Sequence, residues 1–186
     1  MVAMYSTSEK KFLINLAKRA IENYFEKREI LEVNKPKYEK LNKEKGTFVT
    51  LYKKEELRGC IGNIIPQEPI YKSVIKNAVN SAFNDPRFPQ LTKDELKDIK
   101  IEISILTVPK KMNFKSKDEL LKKLTRKDGV ILKGNDKSAT FLPQVWSHFQ
   151  NKVDFLGNLC MKAYLPINAW EDLRTEIYIY KVDVIK

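Results

Sequence analysis

The sequence predicts an α+β fold with a mainly antiparallel sheet and flanking helices. Three observations carry that prediction. β-Branched apolar runs come in pairs around turn residues, which is the hairpin signature. These runs outnumber what a βαβ rhythm would require. Several other stretches place apolar residues at three- and four-residue spacing and open on capping sequences. At 186 residues, with 42% hydrophobic and 10% aromatic content, the chain can bury one core, or two subdomains sharing one. One domain over residues 1–186 is expected.

The first helix opens on Ser6-Thr7-Ser8-Glu9, with Ser6 as N-cap and Glu9 reaching back to it. Leu13, Leu16, Ala17, Ala20, Ile21, Tyr24 and Phe25 form its buried stripe. A lysine-rich connection around Pro36 runs to Gly46, and a hairpin follows: Phe48–Tyr52 as one strand and Leu57-Arg58-Gly59-Cys60-Ile61-Gly62 as the other. Pro66 and Pro69 end the hairpin, and Pro69 suits the first turn of a second helix with Ile70, Val74, Ala78 and Ala82 on its stripe. That helix stops at Asn84-Asp85-Pro86, because proline disfavours helical geometry in the residue before it.

Asp85-Pro86-Arg87-Phe88-Pro89 is a stiff turn, and Thr92 with Glu95 reads as another capping box, stapled by Leu91 and Leu96. Ile101 to Val108 is apolar and β-branched enough for a central strand. Ser116 with Glu119 starts a short helix through Leu120, Leu121 and Leu124. Gly129–Leu132 and Ala139–Leu142 flank the turn Gly134-Asn135-Asp136, a second hairpin. Pro143–Trp146 leaves it. A helix over Lys152 to Ala163 is expected to bury Val153, Leu156, Leu159 and Cys160, and Thr175 to Ile185 alternates as one closing strand.

The formal charge of +11 comes from 35 Lys+Arg against 24 Asp+Glu. The cations are mostly lysines interleaved with glutamates, which reads as a solvated surface. Specific nucleic-acid readers use arginine forks and aromatic platforms that are missing here, so a basic surface for nonspecific RNA is the last of the functional readings. No apolar run is long enough to span a bilayer, and Glu9-Lys10-Lys11 precedes any signal-like segment, so a cytoplasmic protein is expected. Two cysteines a hundred positions apart and one histidine, His148, make no familiar metal-ligand spacing. No metal and no cofactor is expected.

The stretch with most chemistry is Leu57–Gly62. If extended, its alternation puts Arg58 and Cys60 on one side, a guanidinium beside a thiol, which favours thiolate. Gly59 and Gly62 flank the cysteine, and glycine within a strand marks a bulge or a close approach. Glu102 on the central strand and His148 are candidate bases.

Several stretches, taken in order and spacing, resemble the AMMECR1 family: Phe48-Val49-Thr50-Leu51, Leu57–Gly62, Asp85–Pro89, Ile101–Leu106, Thr140–Trp146, and Phe155-Leu156 with Leu159-Cys160 and Lys162-Ala163. Tyr164 departs from the pattern, which has glycine there. The resemblance implies two unequal subdomains, with the Leu57–Gly62 motif near a cleft. It also implies association with a Memo-like protein and a radical SAM protein, in the system called AmmeMemoRadiSam. It implies no settled reaction. The preferred reading is a component that binds a small ligand or a protein through Arg58, Gly59, Cys60, Gly62, Asp85, Arg87, Glu102, Gln144 and Trp146. The runner-up is an enzyme with Cys60 as nucleophile and Arg58 as its activator.

Overall fold

A computed structural model describes residues 4–186. In chain order the elements are α1 (Thr7–Lys27), β1 (Thr47–Lys53), β2 (Glu56–Asn63), α2 (Ile70–Phe83), β3 (Ile99–Leu106), β4 (Lys110–Lys111), α3 (Lys117–Lys123), β5 (Gly129–Gly134), β6 (Lys137–Phe141), α4 (Lys152–Lys162), β7 (Glu176–Tyr180) and β8 (Val182–Ile185). Helices combine with two four-stranded sheets, ordered β2-β1-β3-β8 and β4-β7-β5-β6, and the pairings resolved are antiparallel. The fold is α+β. The chain divides into two compact units, one running to Leu106 and taking in Asp183–Lys186, the other Thr107–Val182.

In the first unit α1 forms as the sequence predicts. Ser6 Oγ accepts from the Glu9 N–H and the Glu9 carboxylate accepts from the Ser6 N–H, so two N–H groups left unpaired by helix geometry are satisfied. Its stripe packs with α2 and with Val49, Leu51, Ile103 and Ile105, the alternate residues on one face of the sheet. β1 and β2 turn through Lys54 and Glu55, both with positive φ, the twist a two-residue hairpin needs. Pro69 caps α2 and does not enter its first turn. The lysine-rich connection holds one fully buried residue, Leu41, on a short 3₁₀ turn.

The second unit has its own core: Trp146 lies flat on Phe155, ring centroids 3.5 Å apart, among Leu120, Val130, Leu156, Leu159 and Ile177. Most buried apolar residues thus form two clusters, one in each unit, where the sequence suggested one core or two subdomains sharing one. The β5–β6 turn has positive φ at Asn135 and Asp136, as its sequence signals.

Four local expectations change. Thr175–Ile185 is two strands in different sheets, β7 and β8, because Lys181 leaves the ladder to pair its N–H with Thr107 Oγ1 and its carbonyl with the Thr107 N–H. Val153 is exposed, because it stands in the first turn of α4, which starts at Lys152, at the edge of the buried stripe Phe155, Leu156, Leu159 and Cys160. Of the Thr92–Glu95 box only the Glu95 carboxylate accepting from the Thr92 N–H forms, and a single 3₁₀ turn, Glu95–Asp98, follows with Asp94 at its N-cap. At α3 half a box forms: Ser116 Oγ accepts from the Glu119 N–H, while Glu119 turns to the Lys115 N–H.

Candidate functional site

The motif strand β2 is an edge strand, paired only to β1. Its register runs Thr50 opposite Cys60 and Leu51 opposite Gly59, then shifts so that Tyr52 faces Leu57. Arg58 is the extra residue of that bulge, and the simple alternation that put Arg58 beside Cys60 is broken there. The two side chains take different partners. Arg58 Nε and Nη2 hold the Glu95 carboxylate at 3.1 and 3.0 Å, Nη1 donates to the Pro89 carbonyl, and Nη2 also reaches that of Gln90. Lys53 adds a second cation to the same carboxylate at 2.9 Å. The Arg58 and Lys53 bonds and the Thr92 N–H, with the Arg58 bond the largest influence, hold the Glu95 carboxyl far below its usual range. Arg58 therefore fastens the 89–95 segment to the strand.

Cys60 is half-buried, and its Sγ lies 3.2 Å from Thr50 Oγ1 directly across the hairpin. Its backbone is capped by the proline-stiffened turn: the Cys60 N–H donates to Asp85 Oδ2 at 2.8 Å, and Arg87 Nη2 donates to the Cys60 carbonyl at 3.1 Å. Asp85 and Arg87 thus stand where a neighbouring strand would, satisfying an edge that would otherwise invite pairing. Asp85 is 2% exposed at its side chain and takes Arg87 Nε and Nη2 at 2.9 and 2.7 Å. The Arg87 bonds, followed by the Cys60 and Arg87 N–H groups, outweigh burial and hold its carboxyl down at about 2.

Both glycines are where something comes close. A Cβ on Gly59 would sit 2.1 Å from the Ser81 carbonyl of α2, so the helix rests directly on the strand backbone. A Cβ on Gly62 would meet the Phe48 ring and the Thr47 carbonyl at 2.3 Å. Ser81 also bridges the hairpin, accepting from the Ile61 N–H at 2.8 Å and donating to the Val49 carbonyl at 2.7 Å.

On the sheet face away from α1 and α2, Cys60, Thr50 and Glu102 lie in one row across three strands. Glu102 is nearly buried and ion-paired to Lys186 at 2.9 Å. Tyr52 stands near that row, its hydroxyl pushed above its usual pKa by burial and then by the Glu102 charge.

Of the residues singled out from the sequence, Arg58, Gly59, Cys60, Gly62, Asp85, Arg87 and Glu102 belong to the first unit and gather on β1–β3 and the turn after α2. Gln144 and Trp146 belong to the second. Trp146 is 2% exposed, stacked on Phe155 with its indole N–H donating to the Asp128 carbonyl, so it is core and offers no surface. Gln144 is exposed on a short 3₁₀ turn, as is His148. Both cysteines are free thiols. Cys160 is fully buried in the second core, where burial raises its pKa. Among the described residues no group of three His, Cys, Asp or Glu side chains could hold a metal ion, and no helix is long and apolar enough to cross a membrane.

Sequence reasoning missed Thr50, Ser81, Glu95 and Lys186. Counting from a two-residue turn at Lys54-Glu55 puts Thr50 opposite Gly59, and only the bulge at Arg58 brings it opposite Cys60. Ser81 is a polar residue inside an apolar helix stripe, which is itself a signal. Glu95 and Lys186 lie 37 and 84 positions from Arg58 and Glu102, with no local pattern to link them.

The geometry has counterparts among known proteins. The AMMECR1 family model matches residues 14–185. A protein of Methanopyrus kandleri is 36% identical over 187 residues, covering 96% of this chain and 88% of its own. One of Nanoarchaeum equitans is 36% identical over 182 residues, covering 93% and 99%. The crystal structure of an uncharacterized protein from Pyrococcus horikoshii superposes with a TM-score of 0.85 at 34% identity, covering 94% of this chain and 89% of that one. The chain belongs to the AMMECR1 family.

Proposed function

We propose that the chain is a binding component of a larger system, receiving a small ligand or a partner's loop on the surface around Leu57–Gly62, with Memo-like and radical SAM proteins as its partners. The observation that carries this reading is the state of Arg87. Its side chain is 54% exposed, yet its guanidinium is fixed by Asp85 and by the Cys60 carbonyl. Among the described residues, Nη1 has no hydrogen-bond partner. With Nε and Nη2 held by Asp85 and the Cys60 carbonyl, Nη1 is a fixed donor that loses little freedom when it meets an acceptor. The half-buried Cys60 extends the same surface.

The cysteine-enzyme reading has less behind it. Arg58, its intended activator, is committed to Glu95, and Glu102, its intended base, is paired with Lys186. The test is calorimetric titration of the full chain with a purified Memo-like protein, and separately with a purified radical SAM protein. At least one is expected to bind, tenfold or more weakly to Arg87→Ala and nearly unchanged to the isosteric Cys60→Ser, with circular dichroism confirming that both variants are folded. Binding by neither protein, or equal binding by all variants, overturns the reading.

A further inference from the structure

A second surface of the first unit, apart from the motif strand, forms where the chain leaves α1. Arg28 turns it through a left-handed φ of 58°, as Tyr164 does after α4 with φ 56°, and an L-residue in that conformation costs about 1–2 kcal/mol. At Arg28 the guanidinium lies over the Tyr24 and Phe83 rings, 5.7 and 5.8 Å from their centroids, which fixes the exit. The residues that follow alternate as an extended strand does: Leu31 and Val33 pack on the first core, while Ile30, Glu32 and Asn34 are exposed.

This strand is unpaired. Among the described residues, no backbone N–H or C=O of residues 30–35 makes a hydrogen bond; the nearest such bonds are at the Glu29 and Pro36 carbonyls. By contrast, the outer edge of β2 has its Cys60 and Ile61 groups taken by Asp85, Arg87 and Ser81. Beside residues 30–35 runs a cavity of about 440 Å³. One wall is four consecutive residues, Ile30, Leu31, Glu32 and Val33. Side chains of an extended chain point alternately to opposite faces, so successive residues border one space together only along the backbone edge. The other wall is one face of α2, with Tyr71, Lys72, Ile75 and Lys76. The cavity is a slot between a free strand edge and a helix.

Hydrogen bonding and charge select what fills it. A row of free donors and acceptors is matched by another extended backbone, whereas a helix uses its N–H and C=O groups internally. Pro36 has no N–H and ends the edge. Of the two cations on the α2 wall, Lys76 is neutralised by Glu68 at 2.8 Å. Among the described residues Lys72 has no carboxylate partner, and Glu32 on the strand wall has no cation. We infer that the slot is a β-addition site for an extended segment of a partner protein, which pairs with residues 30–35 and sets an apolar side chain against Tyr71 and Ile75. Complementarity gives that segment a carboxylate toward Lys72 and a cation toward Glu32.

The test uses the full chain, immobilised to select peptides from a phage-displayed random linear library, with the enriched sequences then synthesised. In the free protein all amides of residues 30–35 should exchange rapidly. With a selected peptide bound, exchange should slow tenfold or more at alternate amides and stay fast at those between, because successive N–H groups of a strand point to opposite edges. Methylating every second backbone nitrogen of the peptide should weaken binding tenfold or more in one phase and little in the other. Affinity by fluorescence anisotropy should fall tenfold or more in Lys72→Glu and hold in Arg87→Ala, which separates this slot from the surface around Cys60. Protection of these amides in the free chain, no enriched peptide, bound peptides that slow all or none of the amides, indifference to methylation in both phases, or equal binding to Lys72→Glu overturns the inference. A dimer in sedimentation velocity that Glu32→Pro dissolves also overturns it, assigning the edge to a second copy of this chain.

Discussion

At the scale of single residues, two side chains are held where their own chemistry is altered. Asp85 is buried with an arginine fork and two N–H groups around it, and its carboxyl titrates at about 2. A carboxyl whose folded pKa lies below its unfolded value of about 4 adds stability above that pH and loses it as pH falls toward the folded value. After allowance for the half-exposed Arg87, that contribution is about 1–2 kcal/mol at neutral pH. Urea unfolding of wild type and Asp85→Asn should show this gap at pH 7 and a narrowing one between pH 4 and pH 2. A gap independent of pH would mean the pairing is not the cause. Tyr164 is the opposite case, a residue that costs stability. Tyr164→Gly should raise unfolding stability by about 1 kcal/mol, read from the denaturant midpoint at unchanged slope. A loss instead would mean that the ring makes a stabilising contact. The sequence marked Tyr164 as a departure and Asp85 as part of a stiff turn. It could not mark the strain or the burial, because both depend on where the chain goes next.

Among elements, the first hairpin shows what periodicity can and cannot deliver. Its two strands were legible from alternation to within a residue at most ends, since one apolar face must be buried. Gly59 signalled a bulge or a close approach, but not that the extra residue is Arg58, because a one-residue shift in pairing leaves no mark on local pattern. Glu95 shows the same limit: its spacing from Thr92 read as a helix cap, and it does accept the Thr92 N–H, but its main partners came from β1 and β2. The close approach at Gly59 was legible in kind, and the Ser81 carbonyl supplies its cause. Gly59→Ala should therefore destabilise by about 1–3 kcal/mol or more, because backbone and not a flexible side chain stands in the way. Thermal unfolding of the variant measures this, and an unchanged midpoint would mean α2 can retreat at no cost.

Over the whole molecule, the α+β class was readable from local pattern, while the split into two sheets with separate cores was not. Thr175–Ile185 alternates throughout, and only the Thr107–Lys181 pairing divides it between sheets. Trp146 looked like an interface anchor because tryptophan often is one; stacking on Phe155 fixes it in the second core. Phe155→Ala should cost about 3–5 kcal/mol and speed hydrogen exchange at amides of the second core, in β5, α4 and β7. Unaltered protection there would contradict the assignment of that core.

The central claim is that the surface of Arg58–Gly62 and Asp85–Gln90 recognises a partner. The most direct measurement is nitrogen-edited NMR of the labelled full chain during titration with a purified Memo-like protein, the partner proposed above. The predicted result is shift changes concentrated at Arg58–Gly62, Asp85–Gln90 and the Arg87 side-chain N–H groups. Changes confined to α1 or to α4, or none at all, would contradict it.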